Sequence, residues 1–248
     1  MLQQQEFDRF RDAIVTLPTK DRYERADLLC ARFHLFTENG LDVYYAPFHY
    51  MNRKARVVLI GLTPGWTQME RAFWAAKEGL TRNLDGEELF RWISSTGSFS
   101  GPMRTLLIGM LDGIGLDRCL EIASCAELFS QANHLVHFTS AISAPVFKDG
   151  KNYTGNPSPL KVGTLRKFII NNLGQELRLL PDAVVVPLGK VAGEAVKFLE
   201  SQRLIAFDRC LMDFPHPSGA NGHRGPLYKQ GCDLWRNQLA EWFCADPK

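Results

Sequence analysis

Residues Arg56–Trp66 read RVVLIGLTPGW, and this segment sets the architecture expected for the whole chain. Its apolar run from Val57 to Ile60 is rich in β-branched residues, a pattern typical of a parallel strand buried on both faces. Pro64 and Gly65 then predict a rigid turn, because proline fixes one backbone angle and glycine adopts angles closed to other residues. In open α/β sheets, ligands bind at the carboxyl ends of the strands. The turn is therefore either a ligand-binding loop or a plain strand-to-loop connection.

The composition is that of a globular enzyme with one large or two small domains. The chain has 248 residues, of which 45% are hydrophobic and 23% charged. A formal net charge of +2 argues against a protein that binds nucleic acid by charge alone, but it allows a local basic groove. No run approaches the roughly 18 apolar residues of a membrane span, and the first residues lack a signal pattern. We therefore expect a cytoplasmic protein with no membrane partner.

The cysteines show no CxxC pair. The chain has six of them: Cys30, Cys119, Cys125, Cys210, Cys232 and Cys244. In a chain of this length they are expected to be reduced thiols, most of them buried. The pattern predicts neither a zinc site nor a disulfide framework.

Hydrophobic periodicity predicts strands that alternate with helices. Strands are expected over residues 57–62, 133–142, 183–188 and 204–214, and helices over 68–80, 86–95, 102–115, 159–179, 191–201 and 228–243. This alternation predicts a three-layer α/β/α domain with a central parallel sheet of about four strands. Two further helices are expected over 3–16 and 20–35, in a region closed by Asn39-Gly40. We therefore divide the chain into a helical N-terminal extension packed on the core, residues 1–50, and an α/β domain, residues 51–248.

Four other segments bear on a binding site. Tyr44–Tyr50 is either an aromatic loop that covers the core or a platform on which bases stack. Phe99 precedes the helix start at Gly101-Pro102, and it is either a core aromatic or a lid over a planar ligand. The polar, Gly-rich loop Lys148–Pro157 is expected at the surface and near the site. Gly189-Lys190 joins the third strand to its helix, a junction that points backbone N–H groups at an anion.

The order of these motifs resembles that of the uracil-DNA glycosylase superfamily. The series comprises Gly61–Gly65 after the first strand, Phe99 between small residues, Thr139 at the end of the second strand, Leu188-Gly189-Lys190 opening a helix, and His216-Pro217-Ser218. The likeness covers about residues 56–243, and it is strongest to the prokaryotic branch that usually holds an iron–sulfur cluster. It implies that residues 51–248 form a glycosylase-like domain acting on single- or double-stranded DNA with a flipped base. We expect this protein to be a monomer.

The resemblance also implies a role for each matching position. The loop Gly61-Leu62-Thr63-Pro64-Gly65 would position the attacking water and line the base pocket. Phe99 would stack on the flipped base, and Ser140 stands where relatives usually carry an Asn that reads the uracil edge. The loop His216-Pro217-Ser218 would enter the minor groove, and its imidazole would stabilise the charge on the leaving base.

The residues themselves fit the chemistry of such a site. Breaking an N-glycosidic bond leaves positive charge on the sugar and negative charge on the base. A site therefore needs a donor at the base oxygen, a ring that holds the base and a placed water, which His216, Phe99 and Thr63 supply in that order. The alternative for His216 is a turn histidine bonded to a backbone carbonyl. Phosphates would be gripped without sequence readout by Gly189, Lys190, Pro217, Ser218, Asn221 and Arg224.

Several departures from the family pattern bear on mechanism. Thr63 stands where relatives often carry Asp or Asn, and its hydroxyl can hold a water but cannot act as a carboxylate base. Ser140 is too short for a two-point amide contact with uracil. Gln68 and Glu70 are candidates to replace the missing base, although Glu70 also fits plain surface charge. Because the cluster cysteines are absent, with Ala144-Pro145 near the expected loop cysteine, we predict no iron–sulfur cluster, no other metal and no cofactor.

Two functions remain open at this point. The first is a glycosylase that excises uracil or another deaminated or damaged base, which His216 and Phe99 favour. The second is a relative that binds nucleic acid or a nucleotide without excising a base, which Thr63 and Ser140 favour.

Overall fold

The computed structural model describes residues 2–48, 50–206, 208–219 and 221–244. His49 and Phe207, which belong to predicted segments, and the side chain of Cys244 lie outside the described part. The chain forms two compact units, each built from several segments. The first comprises Met1–Met51, Thr63–Ser100 and Ile142–Arg166, and the second comprises Asn52–Leu62, Gly101–Ala141 and Lys167–Lys248. The division at residues 50 and 51 stays a prediction.

The elements follow one another as a mixed α/β chain. The strands are β1 (His34–Glu38), β2 (Leu41–Tyr44), β3 (Val57–Gly61), β4 (Val136–Ser140), β5 (Val146–Lys148), β6 (Lys151–Asn152) and β7 (Val184–Pro187). The α-helices are α1 (Leu2–Val15), α2 (Arg25–Leu28), α3 (Trp66–Thr81), α4 (Gly86–Gly97), α5 (Pro102–Gly113), α6 (Leu116–Leu120), α7 (Gly163–Phe168), α8 (Gly174–Arg178), α9 (Lys190–Ser201) and α10 (Arg224–Cys244).

The first unit carries an antiparallel sheet, in the order β1-β2-β5-β6, that the sequence patterns did not predict. Two tight turns build it. Asn39 and Gly40, with φ of 52° and 72°, join β1 to β2, and Asp149 and Gly150, with φ of 50° and 68°, join β5 to β6. Positive φ at both central residues is the mark of a type I′ hairpin turn. The predicted helix over 20–35 is therefore wrong, because α2 spans only four residues and the chain then enters β1.

An aromatic cluster fills the first unit beside this sheet. The rings of Phe10 and Tyr45 stack at 3.8 Å between centroids, and those of Phe33 and Phe73 lie 4.5 Å apart. Tyr45 is only 1% exposed. The structure therefore supports the interpretation of Tyr44–Tyr50 as an aromatic segment that covers the core, and not as a platform on which bases stack.

A parallel sheet in the order β4-β3-β7 forms the core of the second unit. Every residue of β3 and of β7 is buried, as expected for strands covered on both faces. Among the described residues of the predicted fourth strand, 204–214, an isolated bridge between Cys210 and Val185 is the only strand pairing. The chain turns away directly afterwards, because the Met212 N–H donates back to the Cys210 carbonyl and Asp213 has φ of 60°.

Most of the predicted helices are confirmed. Helices α1, α3, α4, α5, α9 and α10 match predicted segments, whereas the short helix α6 was not predicted. The expected helix over 159–179 is a composite of a 3₁₀ turn at Pro159–Lys161, α7, a π-helical stretch at Ile169–Leu173, and α8. Within the described residues, no helix has the length and apolar character needed to cross a membrane.

Candidate functional site

The carboxyl ends of the parallel strands are tied together in the second unit. The Ala141 N–H donates to the Gly61 carbonyl at 2.9 Å, and the Leu188 N–H donates to the Ile60 carbonyl at 2.8 Å. Gly61 is also the register partner of Ser140 on β4. The predicted residues Gly61 and Ser140 therefore lie side by side at the sheet edge where α/β folds bind ligands.

Strand β4 is held by a carboxylate close to this edge. The Thr139 hydroxyl donates to Glu176 Oε2 at 2.5 Å, and His137 Nε2 lies 3.4 Å from the same oxygen. His137 is 1% exposed, and the Glu176 side chain is 17% exposed. This partly buried cluster holds the carboxyl end of β4 in place, and with it the backbone of Ser140.

Gly189 joins the β7–α9 connection to the loop that carries His216. Its N–H donates to the Phe214 carbonyl at 2.8 Å, and its φ of 90° lies in the region that favours glycine. A Cβ added at Gly189 would lie 2.9 Å from the Cβ of His216, so only glycine leaves room for this loop. The neighbouring Lys190 side chain is 88% exposed, with Glu194 as a distant ion-pair partner at 3.8 Å.

The imidazole of His216 has a defined tautomer. The Ser218 N–H donates to His216 Nδ1 at 3.2 Å, so Nδ1 is the acceptor and the proton of the neutral ring lies on Nε2. Burial lowers the pKa of the His216 imidazole below its usual value, which favours the neutral ring. The described residues thus show a ring bonded to a backbone amide, not to the carbonyl of the alternative interpretation. His216 presents a single, oriented N–H donor.

Asn221 and Arg224 brace this loop from within. Asn221 Nδ2 donates to the His216 carbonyl at 3.2 Å, and Arg224 donates from one terminal nitrogen to the Ser218 carbonyl at 2.6 Å. Both residues were predicted to grip phosphates, and that role stays a prediction. Their observed contacts hold the backbone of the segment from His216 through Pro217 to Ser218.

The first unit holds the second half of the first motif. The Thr63 hydroxyl donates to the Ala144 carbonyl at 2.6 Å. Its proton is therefore committed, and its oxygen can only accept a hydrogen bond from a water. Pro64 is buried, and Gly65 is the residue that precedes the first turn of α3. Leu62, the last residue of the second unit before this turn, is half-buried.

Phe99 is held in a strained backbone conformation. Its φ is 50°, which is uncommon for a bulky residue, and the residue is 3% exposed. The Phe99 N–H donates to Gln68 Oε1 at 3.0 Å, and the Ser100 hydroxyl donates to the Thr67 carbonyl at 3.3 Å. The start of α3 thus fixes the backbone that carries the ring, and the side-chain oxygen of Gln68 is occupied by this hydrogen bond.

Glu70 is not a surface charge, contrary to that interpretation of the sequence. It is 6% exposed, and its Oε1 accepts a hydrogen bond from the Tyr23 N–H at 3.2 Å. The carboxylate therefore anchors the N-terminal segment to α3. Glu70 and Gln68 each accept a hydrogen bond from a backbone N–H, which gives both residues a structural role instead of the role of a base.

Sequence reasoning missed Asn152 at this motif. Its Oδ1 accepts a hydrogen bond from the Trp66 N–H at 2.9 Å, which caps the first turn of α3. The signal available in the sequence was Asp149-Gly150, a strong hairpin turn that places β6 next to β5. The predicted site residues are thus distributed over both units, with Thr63, Pro64, Gly65 and Phe99 in the first. Their joint action stays a prediction.

The described cysteines do not fit an iron–sulfur cluster. Such clusters are held by four thiolates, whereas the five described cysteines are free and no group of three or more metal-ligating side chains occurs among the described residues. Burial raises the pKa of the Cys125 thiol strongly and that of Cys210 to about 12. These shifts disfavour a reactive thiolate at either residue. The expectation that most cysteines are buried was wrong, because among the five described cysteines only Cys125 is buried.

The first unit also contains an open cavity of about 630 Å³. Its lining includes Lys20, Lys77 and Glu78 but none of the predicted site residues. These three charges already have partners, because Lys20 pairs with Asp27 at 2.9 Å, Lys77 donates to a backbone carbonyl and Glu78 pairs with Arg82 at 2.8 Å. The cavity therefore has no connection with the predicted site residues.

Comparison with known proteins points the same way as the motif series. The sequence model of the uracil DNA glycosylase superfamily matches residues 48–240. YoxB, an uncharacterized protein of Bacillus subtilis (strain 168), is 38% identical over 233 residues, which are 93% of this chain and 90% of that protein. No solved structure matches the chain.

Proposed function

The chain belongs to the uracil-DNA glycosylase superfamily, whose members generally act on DNA, and we propose that it hydrolyses the N-glycosidic bond of uracil or another deaminated or damaged base in DNA. The observation that carries the proposal is the geometry of His216. A half-buried, neutral imidazole whose Nδ1 is occupied by the Ser218 N–H can only donate from Nε2. Such a donor matches a base oxygen on which negative charge develops.

In the proposed reaction, water supplies the hydroxyl that bonds to the sugar C1′ and the proton that finally neutralises the base. The electron pair of the C1′–N bond leaves with the base, so negative charge grows on the base oxygen. The Nε2–H of His216 stabilises that charge. Because burial lowers the imidazole pKa, the neutral ring is favoured, and a neutral imidazole donates its Nε2–H in a hydrogen bond without giving up the proton.

Phe99 and Thr63 take the two remaining roles in this proposal. The ring of Phe99, fixed through the Gln68 contact to its backbone, stacks on the flipped base and offsets part of the few kcal/mol that flipping costs. The Thr63 oxygen accepts a hydrogen bond from the attacking water and orients it. It cannot remove the water's proton, since its own hydroxyl is bonded to the Ala144 carbonyl.

Phosphate contacts would be made by Lys190 and by the loop that follows His216. Lys190 lies at the start of α9 with a nearly fully exposed side chain, so its ammonium is accessible to a phosphate. Binding should therefore weaken with salt, and Lys190→Ala should reduce the slope of log K against log[salt] by about 1.

A binding protein without base excision is the second candidate. It is favoured by the hydrogen-bond commitments of the first motif, because Thr63, Gln68 and Glu70 are all engaged with backbone groups. Thr63 and Gln68 have no carboxylate, and the carboxylate of Glu70 is buried and bonded to the Tyr23 N–H, so none of the three is positioned to act as a base for the water. In this case the family fold would retain DNA or nucleotide binding while the reaction was lost.

A cleavage assay separates the two candidates. Oligonucleotides that contain uracil, hypoxanthine, xanthine or a mismatch would be incubated with the protein and tested for abasic sites. We expect His216→Ala to lower kcat by about 10²–10³-fold, the effect of one lost donor to a developing oxyanion. The matched control is His223→Ala, because His223 is exposed and its hydrogen bonds to described residues involve only its backbone. DNA binding without any abasic product would support the second candidate.

A further inference from the structure

The hairpin of β5 and β6 carries a polar side chain to the first motif. The type I′ turn at Asp149-Gly150 fixes the register, in which Phe147 pairs with Asn152. The hairpin continues into the unit through the Tyr153 N–H, which donates to the Val146 carbonyl at 3.0 Å. Asn152 is thus held on a paired strand, not on a loose loop.

The amide of Asn152 is oriented by two contacts. Its Oδ1 accepts the Trp66 N–H at 2.9 Å, which identifies the oxygen end of the amide. Its Nδ2 lies beside Gly65, since a Cβ added at Gly65 would be 3.0 Å from that nitrogen. The amide therefore rests on the glycine of the first motif, with its NH₂ group alongside the turn.

The two Nδ2 hydrogens of Asn152 have no hydrogen-bond partner among the residues that the structure describes, and Asn152 is exposed. Of the other polar side chains at this motif, the Thr63 hydroxyl donates to the Ala144 carbonyl, and Gln68 accepts from the Phe99 N–H through Oε1. The amide nitrogen of Gln68 also remains unengaged among the described residues, but its side chain is only half-exposed, whereas Asn152 is exposed. Asn152 is therefore an oriented and accessible side-chain donor of the first motif.

We propose that Asn152 is a specificity-determining residue whose Nδ2–H donates to a keto oxygen of the target base. This inference rests on the proposed function and names its substrate class, bases in which deamination has replaced an exocyclic amine by a carbonyl. A keto oxygen accepts the Asn152 hydrogen bond. An exocyclic amine in the same place offers a donor, which leaves both groups unpaired, and sites built on a hydrogen bond reject such analogues strongly.

Two substitutions separate the donor from the helix cap. Asn152→Asp keeps an oxygen at the same reach to accept the Trp66 N–H, whereas Asn152→Ser removes the amide without adding charge but is too short to keep that contact. Neither retains an Nδ2–H donor aimed beside Gly65. We expect the aspartate variant to keep the wild-type melting temperature, and both variants to lose about 10- to 100-fold in kcat/KM on uracil-containing oligonucleotides.

A binding measurement tests the same hydrogen bond without requiring cleavage. Oligonucleotides with 2′-fluoro-2′-deoxyuridine or 2′-fluoro-2′-deoxycytidine resist hydrolysis, because fluorine disfavours positive charge on the sugar. The wild type should bind the uracil form more tightly than the cytosine form, and both variants should lose most of this preference.

The outcomes distinguish the two proposals. Cleavage by the wild type with unchanged rates and preference in both variants would overturn the role of Asn152 and leave the glycosylase proposal standing. A keto preference that depends on Asn152 without any cleavage would support Asn152 and overturn base excision. Loss of preference in the aspartate variant alone would also overturn the donor role, since the added charge would then be the cause.

Discussion

Replacing Gly189 by alanine should displace the His216 loop by a distance that follows from the structure. The added Cβ would lie 2.9 Å from the Cβ of His216, whereas carbon atoms in contact prefer about 3.5–4.0 Å, so the loop must move by about 0.6–1.1 Å. A displacement of about 1 Å in an active site costs on the order of 100-fold in rate. The backbone at Gly189, with φ of 90°, adds about 1–3 kcal/mol of strain for any other residue. For a chain of this size, that strain lowers the melting temperature by about 2–12 °C.

The assay for Gly189→Ala combines base release from a uracil-containing oligonucleotide, thermal unfolding and the NMR signal of the His216 ring. We expect kcat/KM to fall about 100-fold and the ring signal to shift. Gly193→Ala is the matched control on the same helix, because a Cβ there would meet only Met212 Cε, at an ordinary 3.4 Å. If Gly189→Ala had wild-type activity and an unshifted His216 signal, the close approach of the two segments would not control the site.

Three further predictions concern Phe99, His216 and Gly109. Phe99→Leu should lower kcat/KM about 10-fold while leaving the unit folded, because base–aromatic stacking is worth about 1–3 kcal/mol; an unchanged rate would exclude a stacking role. Since burial lowers the pKa of His216 below 6.5, the acid limb of the pH–rate profile attributable to this residue should lie below pH 6.5. The unfolded chain then binds this proton more readily than the folded protein. The contribution of His216 to the free energy of unfolding should therefore be complete above pH 6.5 and should fall as the pH drops towards the folded-state pKa. Urea unfolding at several pH values should show a smaller fall in His216→Gln. Gly109→Ala should raise the free energy of unfolding by about 0.5–1 kcal/mol in urea titrations, because Gly109 lies in α5 and an added Cβ would meet nothing within 4 Å; a lower stability would contradict this.

The parallel core was predictable because its strands are continuous apolar runs. The segments Val57–Ile60 and Val184–Val186 need no alternation when both faces are covered, and both are strands in the structure. Helices with a clear apolar face, such as α3 and α9, were predicted for the same reason. The strand predicted over 204–214 was wrong: its described residues form a single bridge, at Cys210, and the chain turns away at Met212 and Asp213.

The antiparallel sheet was missed because local signals there have two meanings. Asn39-Gly40 suits the end of a helix and also a type I′ turn, since both need positive φ. What decides between them is the pairing of β2 with β5, a segment far along the chain. Single-sequence periodicity carries no information about such a partner.

The candidate site was predictable as a set of motifs but not as a set of contacts. The sequence placed His216 and Gly189 in separate motifs, whereas their packing against each other appears only in three dimensions. The neutral tautomer of His216 depends on the Ser218 amide, and the availability of Asn152 depends on a hairpin turn. Glu70 was misjudged because its partner, the Tyr23 backbone, lies in the N-terminal segment.

The pairing of β2 with β5 has a consequence during synthesis. Val43 pairs with Val146, which the ribosome adds 146 − 43 = 103 residues later. At about 5–20 residues per second, the nascent β1–β2 hairpin waits about 5–20 s for its neighbour. During that interval it presents an open β edge, a template for pairing with another chain. This first hairpin is therefore the segment on which we expect translation pauses to promote aggregation and ribosome-associated chaperones to act.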